Sequence, residues 1–479
     1  MTSAKSTRPV ITFLIVSIGL FMVTLDNLVV STALPVIRVD LNAPLESLEW
    51  MVNAYTLSYA VFLLTGAALG DRFGRRKMFA IGVMVFSLAS AAAALAPSAN
   101  FLVTARAIQG LGAALVTPLS LTLLSAAVPD DKRGLAIGAW SGVSGLGVAM
   151  GPVIGGAITE GIAWQWIFWV NVPIGLVIAP LAAWKLLESY GPDRGLDPRG
   201  LILAVVGLFP LTFGIVRSGA LGWGSTTVVV SIVFGLVMMA FFLLHESRTK
   251  EPMLPLRFFR SRAFSATNAV SFVMFFGIFG SIFFLSQYFI TVQGLTPLQA
   301  GIRILPWTAM PIFIAPIAGL LSDRFGARPF MVVGLALQAF AIAWIAKVAQ
   351  VDTAYIEFVP GFVAGGAGMA LVFAPSANAV LSSVRPIEAG KASGATNAIR
   401  ELGGVAGVAV LASVFAAAGG YASPQDFVDG VRAALPVGSA VLLIGAFIAL
   451  LIPRQGAPGT TGARRTDAPP QDASVPSLP

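Results

Sequence analysis

The chain has 479 residues, of which 57% are hydrophobic and only 11% charged, with a mean hydropathy of +0.86, a composition too apolar for a water-soluble chain with one or two cores. The formal charge of +8 comes from basic residues in the connections between apolar runs rather than on one continuous face, so membrane lipids with anionic headgroups are the expected partner and nucleic acid is not. With no cysteine and a single histidine, the chain has no disulfide framework and little to hold a metal, and no cofactor is expected.

In chain order, apolar runs broken by charge, proline or Gly/Ser clusters predict spans near 10–36, 48–70, 78–97, 101–126, 134–158 and 165–187, then 200–216 and 226–245, then 264–291, 298–321, 329–349, 355–383, 394–417 and 433–453. A membrane-crossing helix takes about 20 apolar residues. The expectation is an all-α polytopic membrane protein with fourteen transmembrane helices: a six-helix bundle over 10–187, an inserted pair over 200–245, a second six-helix bundle over 264–453 and a disordered tail over 454–479. The first run follows Lys5 and Arg8 as a secretory signal would, but it is long, lacks a compact cleavage site and precedes many more spans, so it is expected to stay as the first transmembrane helix.

Connections carrying Arg72, Arg75, Arg76, Lys77, Lys132, Arg133, Arg194, Arg199, Arg248, Lys250, Arg257, Arg260, Arg262, Arg324, Arg328, Arg385 and Lys391 fall on one side of this layout, against Arg38, Arg217, Arg303, Lys347 and Arg432 on the other. That bias predicts a bacterial inner-membrane protein with both termini cytoplasmic. On the basic side, DRFGRRKMF from Asp71 is echoed by DRFGARPF from Asp323 at the matching place of the second half. Two related halves around a midplane site are a common transporter plan. The paired loops read as latches that engage in one conformation and part in the other, built from Asp71, Arg72, Gly74 and Arg75 and from Asp323, Arg324 and Gly326.

The fourth span carries Arg106 and Gln109 one turn apart on one face. An arginine there costs at least a few kcal/mol unless it meets a partner or a cavity, and Asp26 of the first span is the evident partner. Counting inward from the outer ends puts Asp26 roughly 15 Å and Arg106 roughly 8 Å deep, a gap an arginine can reach across. Desolvation and a nearby cation push a carboxylate's protonation in opposite directions, so competition between a proton and a cationic cargo for Asp26 would couple their movements, and Asp26→Asn is expected to abolish that coupling with the fold intact.

The fifth span contains GLGVAMGPVIGG, with Gly147, Gly151 and Gly155 four apart, Gly156 beside them and Pro152 inside, a pattern for close, bendable helix contact. Asn27, Asn53, Tyr55, Gln287 and Asn378 are the candidate cargo contacts; Asn171, Asn268 and Asn397 are further polar span residues. Arg400 and Glu401, at the start of the thirteenth span, point about 100° apart and predict one gating contact. Trp164, Trp166 and Trp169 read as an interfacial belt, Glu160 as an outer-loop residue and His245 as solvated. No Gly-rich stretch ends in Gly-Lys-Ser/Thr, so ATP is not the expected energy source, and an ion gradient remains for a protein that is not an enzyme.

LDNLVVSTALP (25–35), ALGDRFGRRK (68–77), RAIQGLGAA (106–114), GLGVAMGPVIGG (145–156), WQWIFWVNVPIG (164–175) and GKASGATNAIRELGGVAGVAV (390–410) together resemble the major facilitator superfamily, specifically its fourteen-span drug:proton antiporters. The resemblance implies alternating access and proton-driven export of lipophilic compounds, with Asp26, Arg106 and Gln109 in proton coupling, Gly151 and Pro152 in the antiporter motif and Asp71 with Arg75 in the latch. Two positions depart from the family pattern: Ala67 stands where the latch usually opens with glycine, and Trp164-Gln165-Trp166 replaces Trp-Arg-Trp. Some members carry a membrane-embedded acid late in the second half for dicationic drugs; none is expected here, which implies neutral or monocationic cargo. A multidrug exporter, a dedicated exporter of one metabolite or antibiotic, and a non-transporting scaffold or receptor are the functions in play, with a monomer expected.

Overall fold

The computed structural model describes residues 9–43, 45–129, 132–191 and 197–453. The tail 454–479, Lys5, Arg8 and Arg194, and the side chains of Asn27 and Pro152, lie outside the described residues. The chain forms α1 (Pro9–Asp40), α2 (Leu45–Phe73), α3 (Arg75–Ala94), α4 (Ala99–Ala127), α5 (Arg133–Gly161), α6 (Trp166–Trp169), α7 (Asn171–Lys185), α8 (Pro198–Leu221), α9 (Thr226–Arg248), α10 (Arg262–Thr291), α11 (Pro297–Thr308), α12 (Met310–Phe325), α13 (Ala327–Val348), α14 (Tyr355–Ser382), α15 (Ala389–Ala418) and α16 (Pro424–Ala449). Fourteen spans among the described residues are long and apolar enough to cross a membrane, α6 with α7 making the sixth and α11 with α12 the tenth.

The tenth span breaks between Thr308 and Met310 because Pro306 and Pro311 withdraw backbone donors. Hydropathy alone places two helix starts too late. α16 begins at Pro424 rather than near 433, since Ser423 accepts from the Asp426 amide at 3.1 Å and caps a polar first turn, and α15 begins at Ala389 rather than 394.

Lipid offers no hydrophobic drive between helices, so association relies on close packing. In the first bundle α2 and α3 pack on α4 and α1 on α5; in the second α10 packs on α15 and α13 on α14 and α16. The bundles meet along two seams, α5 against α11 and α12, and α2 against α15. At the α2–α3 and α12–α13 turns Gly74 (φ 104°) and Gly326 (φ 80°) take left-handed backbone that other residues resist.

The inserted pair α8–α9 touches both bundles. Trp50 of α2 stacks on Phe213 at 5.8 Å, and Trp223 Nε1 donates to Ser413 Oγ of α15 at 2.6 Å. At its other end His245 is not a solvated residue: its Nε2 lies 2.7 Å from Asp197 Oδ2, tying α9 to the α8 cap.

Candidate functional site

Five helices, α1, α2, α3, α4 and α7, meet around Asp26, which is 1% exposed. Arg106 Nη1 donates to Asp26 Oδ2 and to Gln109 Oε1 at 2.7 Å, and its Nε donates to the Met51 carbonyl at 3.1 Å. Gln109 Nε2 donates to Asp26 Oδ1 and Ser90 Oγ, both at 2.8 Å, and Asn171 Nδ2 reaches Asp26 Oδ1 at 3.0 Å. The guanidinium lies 4.2 Å over the Tyr55 ring. Asp26, Arg106 and Gln109 thus meet as their spacing predicted. Competition of a cargo cation for Asp26 itself, however, finds no room, because three side chains already donate to that carboxylate. Asn171 was legible only as a polar span residue; the break at Val170 puts it first in α7, aimed at the network.

Both Asp-Arg-Phe-Gly loops engage the opposite bundle. Asp71 accepts from Arg75 Nε at 2.8 Å, and Arg75 Nη2 donates to the Ile387 carbonyl at 2.8 Å, just before α15. A Cβ at Gly390 would lie 2.3 Å from Asp71 Oδ1, so the aspartate sits on the first turn of α15, where helix dipole and free amides favour an anion. In the echo, Asp323 accepts from the Gly134 amide of α5 at 3.1 Å and a Cβ there would lie 2.0 Å away. Among the described residues Arg72 and Arg324 make no ion pair; each turns onto the adjacent ring, of Phe73 and Phe325. Glu188 is an unforeseen member, accepting from the Arg76 amide at 2.9 Å. Glu388 is another: buried, it is held by Arg257 and by Arg385 Nε at 3.0 Å.

Several expectations change. Asn378 donates to Asp323 Oδ1 at 2.5 Å, beside the second Asp-Arg-Phe-Gly loop, and Gln287 accepts from Tyr421 at the far end of α10. Asn53 is half-buried on α2, while Tyr55 is 1% exposed. Trp164 is buried and donates to Asp40 Oδ2 at 2.7 Å, so only Trp166 and Trp169 remain as an interfacial pair. They line an apolar groove of about 350 Å³ with Val172, Pro173 and Leu176. Glu160 is exposed in the last turn of α5. Arg400 turns into its own bundle, donating to Ser376 Oγ at 2.8 Å and lying 4.6 Å over Phe373. With α15 starting at Ala389, Glu401 is well inside the span. An acid late in the second half is therefore present, contrary to expectation.

On α5, Gly147 packs on Thr24 of α1, where a Cβ would lie 2.0 Å from Oγ1, and Gly156 packs on Leu298. Gly151 and Gly155 are buried in the same helix. The seam with the second bundle uses an earlier set, Gly134, Gly138 and Gly142 against Asp323, Ala315 and Pro311. Their four-residue spacing is visible in the sequence.

The Major Facilitator Superfamily description matches residues 16–408 and 268–473. The tetracenomycin C resistance and export protein of Streptomyces glaucescens is 36% identical over 424 residues, covering 88% of this chain and 79% of that one. The multidrug resistance protein Stp of Mycobacterium tuberculosis is 35% identical over 409 residues, covering 85% and 76%. Among solved structures, a proton:xylose symporter superposes with TM-score 0.66 at 15% identity over 93% of this chain and 96% of that one, and the human organic anion transporter MFSD10 with 0.63 at 16% over 92% and 98%; at such identities they speak for the fold alone. Fourteen apolar spans in two bundles, a repeated Asp-Arg-Phe-Gly loop and relatives matched over most of their length place this chain in the major facilitator superfamily.

Proposed function

We propose that the chain is a proton-coupled exporter of small lipophilic organic compounds, working by alternating access of residues 10–187 against 264–453 with 200–245 inserted between them; with Glu401 inside α15, the ground for restricting the cargo to neutral or monocationic compounds falls away. The observation that carries this is the Asp26–Arg106 pair, wholly out of water at the junction of α1, α2, α3, α4 and α7. A proton on Asp26 would cancel the charge that holds Arg106, and a buried guanidinium without its anion is costly enough to move helices. The alternation would be read at the latches, where Asp71 with Arg75 and Asp323 with Gly134 hold the bundles together at one end. With that basic end cytoplasmic, this conformer would be closed to the cytoplasm, and both termini would lie on the cytoplasmic side of the bacterial inner membrane. Asn53 and Tyr55 remain candidates for the cargo path, as does Asn27. A single chain would suffice, ringed by lipid whose anionic headgroups meet the basic end.

The relatives support export rather than scaffolding, and buried charges would serve a scaffold nothing. Because one relative is named for a single antibiotic and another for multidrug resistance, a dedicated exporter is the second reading. Inverted vesicles holding the chain separate the two: a multidrug exporter accumulates several unrelated dyes only while a proton gradient stands, and a dedicated exporter accumulates none. Dye accumulation that persists after a protonophore collapses the gradient would remove the proton from the reading.

A further inference from the structure

Glu246 lies in the last turn of α9 and is 3% exposed. Its Oε2 accepts from the Leu254 amide at 2.8 Å, while its Oε1 is buried with no hydrogen-bond partner among the described residues. A Cβ built on Gly200 would stand 2.8 Å from Glu246 Oε1 and 2.7 Å from Asp197 Oδ2, so the two carboxylates border one gap that exists because residue 200 has no side chain. Asp197 Oδ2 lies 2.7 Å from His245 Nε2, and the His245 side chain is 25% exposed. His245 and Asp197 thus offer a proton a titratable route from the basic end of the molecule to the buried acid.

The amide that Glu246 holds belongs to a strap, residues 249–261, which joins α9 to α10 and is pinned to the start of α15. Lys391 Nζ donates to the Pro252 carbonyl at 2.8 Å, Arg257 pairs with Glu388, and Met253, Leu254 and Phe258 are buried. The same short stretch, 387–391, receives Arg75 at the Ile387 carbonyl and Asp71 at Gly390. The strap of the inserted pair and the Asp71–Arg75 loop of the first bundle therefore grip one turn of chain. The charged groups facing Glu246 are Asp197, His245 and Lys391, Arg257 being taken up by Glu388. An ionised carboxylate accepts from an amide about twice as strongly as a neutral acid and draws Lys391 toward the strap. Protonation gives up both, so the grip on α15 is firm while Glu246 is charged and weakens as falling pH neutralises it.

We propose that Glu246 is a regulatory proton site, separate from Asp26, that sets how firmly the inserted pair braces the first turn of α15. Ionised, it holds the conformer in which the Asp71–Arg75 loop is engaged; protonated by way of His245 and Asp197, it slackens the strap and lets that contact part. Acidification on the basic side thus raises the share of chains open on that side. The proposal goes beyond the export reading: it uses alternating access but needs no proton at Asp26.

The test is the distance between nitroxide spin labels on Lys77→Cys and Ser382→Cys, exposed positions at the basic ends of α3 and α14, in the full chain, which has no cysteine of its own. The labelled chain is held in lipid nanodiscs at about pH 8 and about pH 6. Acidification should raise the ratio of long to short distances severalfold. Glu246→Gln, which keeps an acceptor for the Leu254 amide but no charge, should show the acid ratio at both pH values, and the same two distances as the wild type show that it is folded. Lys391→Met, which cuts the strap from α15, should do likewise. His245→Gln should keep the shift, because a change of route leaves the equilibrium at Glu246 in place, and so should Asp26→Asn. No shift in the wild type, a wild-type shift in Glu246→Gln, or a shift lost in Asp26→Asn or His245→Gln would each overturn the proposal. Dye transport indifferent to the proton gradient would sink the coupling reading and leave this site standing.

Discussion

Asp26→Asn removes one charge from a pair in which both side chains are 0% exposed. Arg106 keeps Gln109 Oε1, the Met51 carbonyl and the Tyr55 ring, but loses its only carboxylate among the described residues. Removing one partner of a buried ion pair costs about 3–5 kcal/mol, and the new amide oxygen, still able to accept from the guanidinium, draws the value toward the lower end. The variant is therefore expected to fold but to be weakened, a change from the intact fold that spacing alone suggested. Equilibrium unfolding in detergent of Asp26→Asn, Arg106→Gln and the double variant forms a cycle. The double variant should be much less destabilised than the sum of the singles, with a coupling of about 1–3 kcal/mol. Additive losses, or an Asp26→Asn loss below about 1 kcal/mol, would refute a tightly coupled buried pair.

Three further outcomes follow from the seams. Arg75→Ala removes the bond to the Ile387 carbonyl and should loosen the α2–α15 seam. The chain has no cysteine of its own, so Ser393→Cys, at a position 1% exposed and bonded to the Pro118 carbonyl, becomes a clean reporter whose maleimide labelling should speed up severalfold; an unchanged rate speaks against the latch. Gly138→Val would put a Cβ 2.5 Å from the Ala315 carbonyl, and is expected to destabilise by about 1–3 kcal/mol and stall transport, whereas Gly161→Ala, with nothing within 4 Å, should do neither. Equal effects from the two would remove the packing argument. Asp323→Ala removes the acceptor for the Gly134 amide and Asn378 and should shift the conformers as Arg75→Ala does, read by the same labelling.

The spans were legible because hydrocarbon tolerates so few charges that each crossing announces itself, and Asp26 and Arg106 stood out for the same reason. Asn171 did not, since a neutral amide in a span is unremarkable until the α6–α7 break aims it at Asp26. The latches were half legible: the repeated Asp-Arg-Phe-Gly marks the aspartates, but their partners are backbone groups, the Gly134 amide and the Ile387 carbonyl, which carry no side-chain signature. Arg72 and Arg324 share the motif yet face away, a matter of helix phase that a loop reading ignores. Glu401 was misplaced because the polar first turns of α15 hide its start from hydropathy.

The central claim is that Asp26 carries a proton against the cargo, and proton counterflow measures it most directly. In proteoliposomes with a pH dye sealed inside and no imposed gradient, an outward gradient of a transported cationic dye should drive protons inward with the wild-type chain and leave the lumen pH unchanged with Asp26→Asn. Proton entry of equal size in Asp26→Asn, or dye leaving wild-type vesicles with no proton movement, would contradict the account.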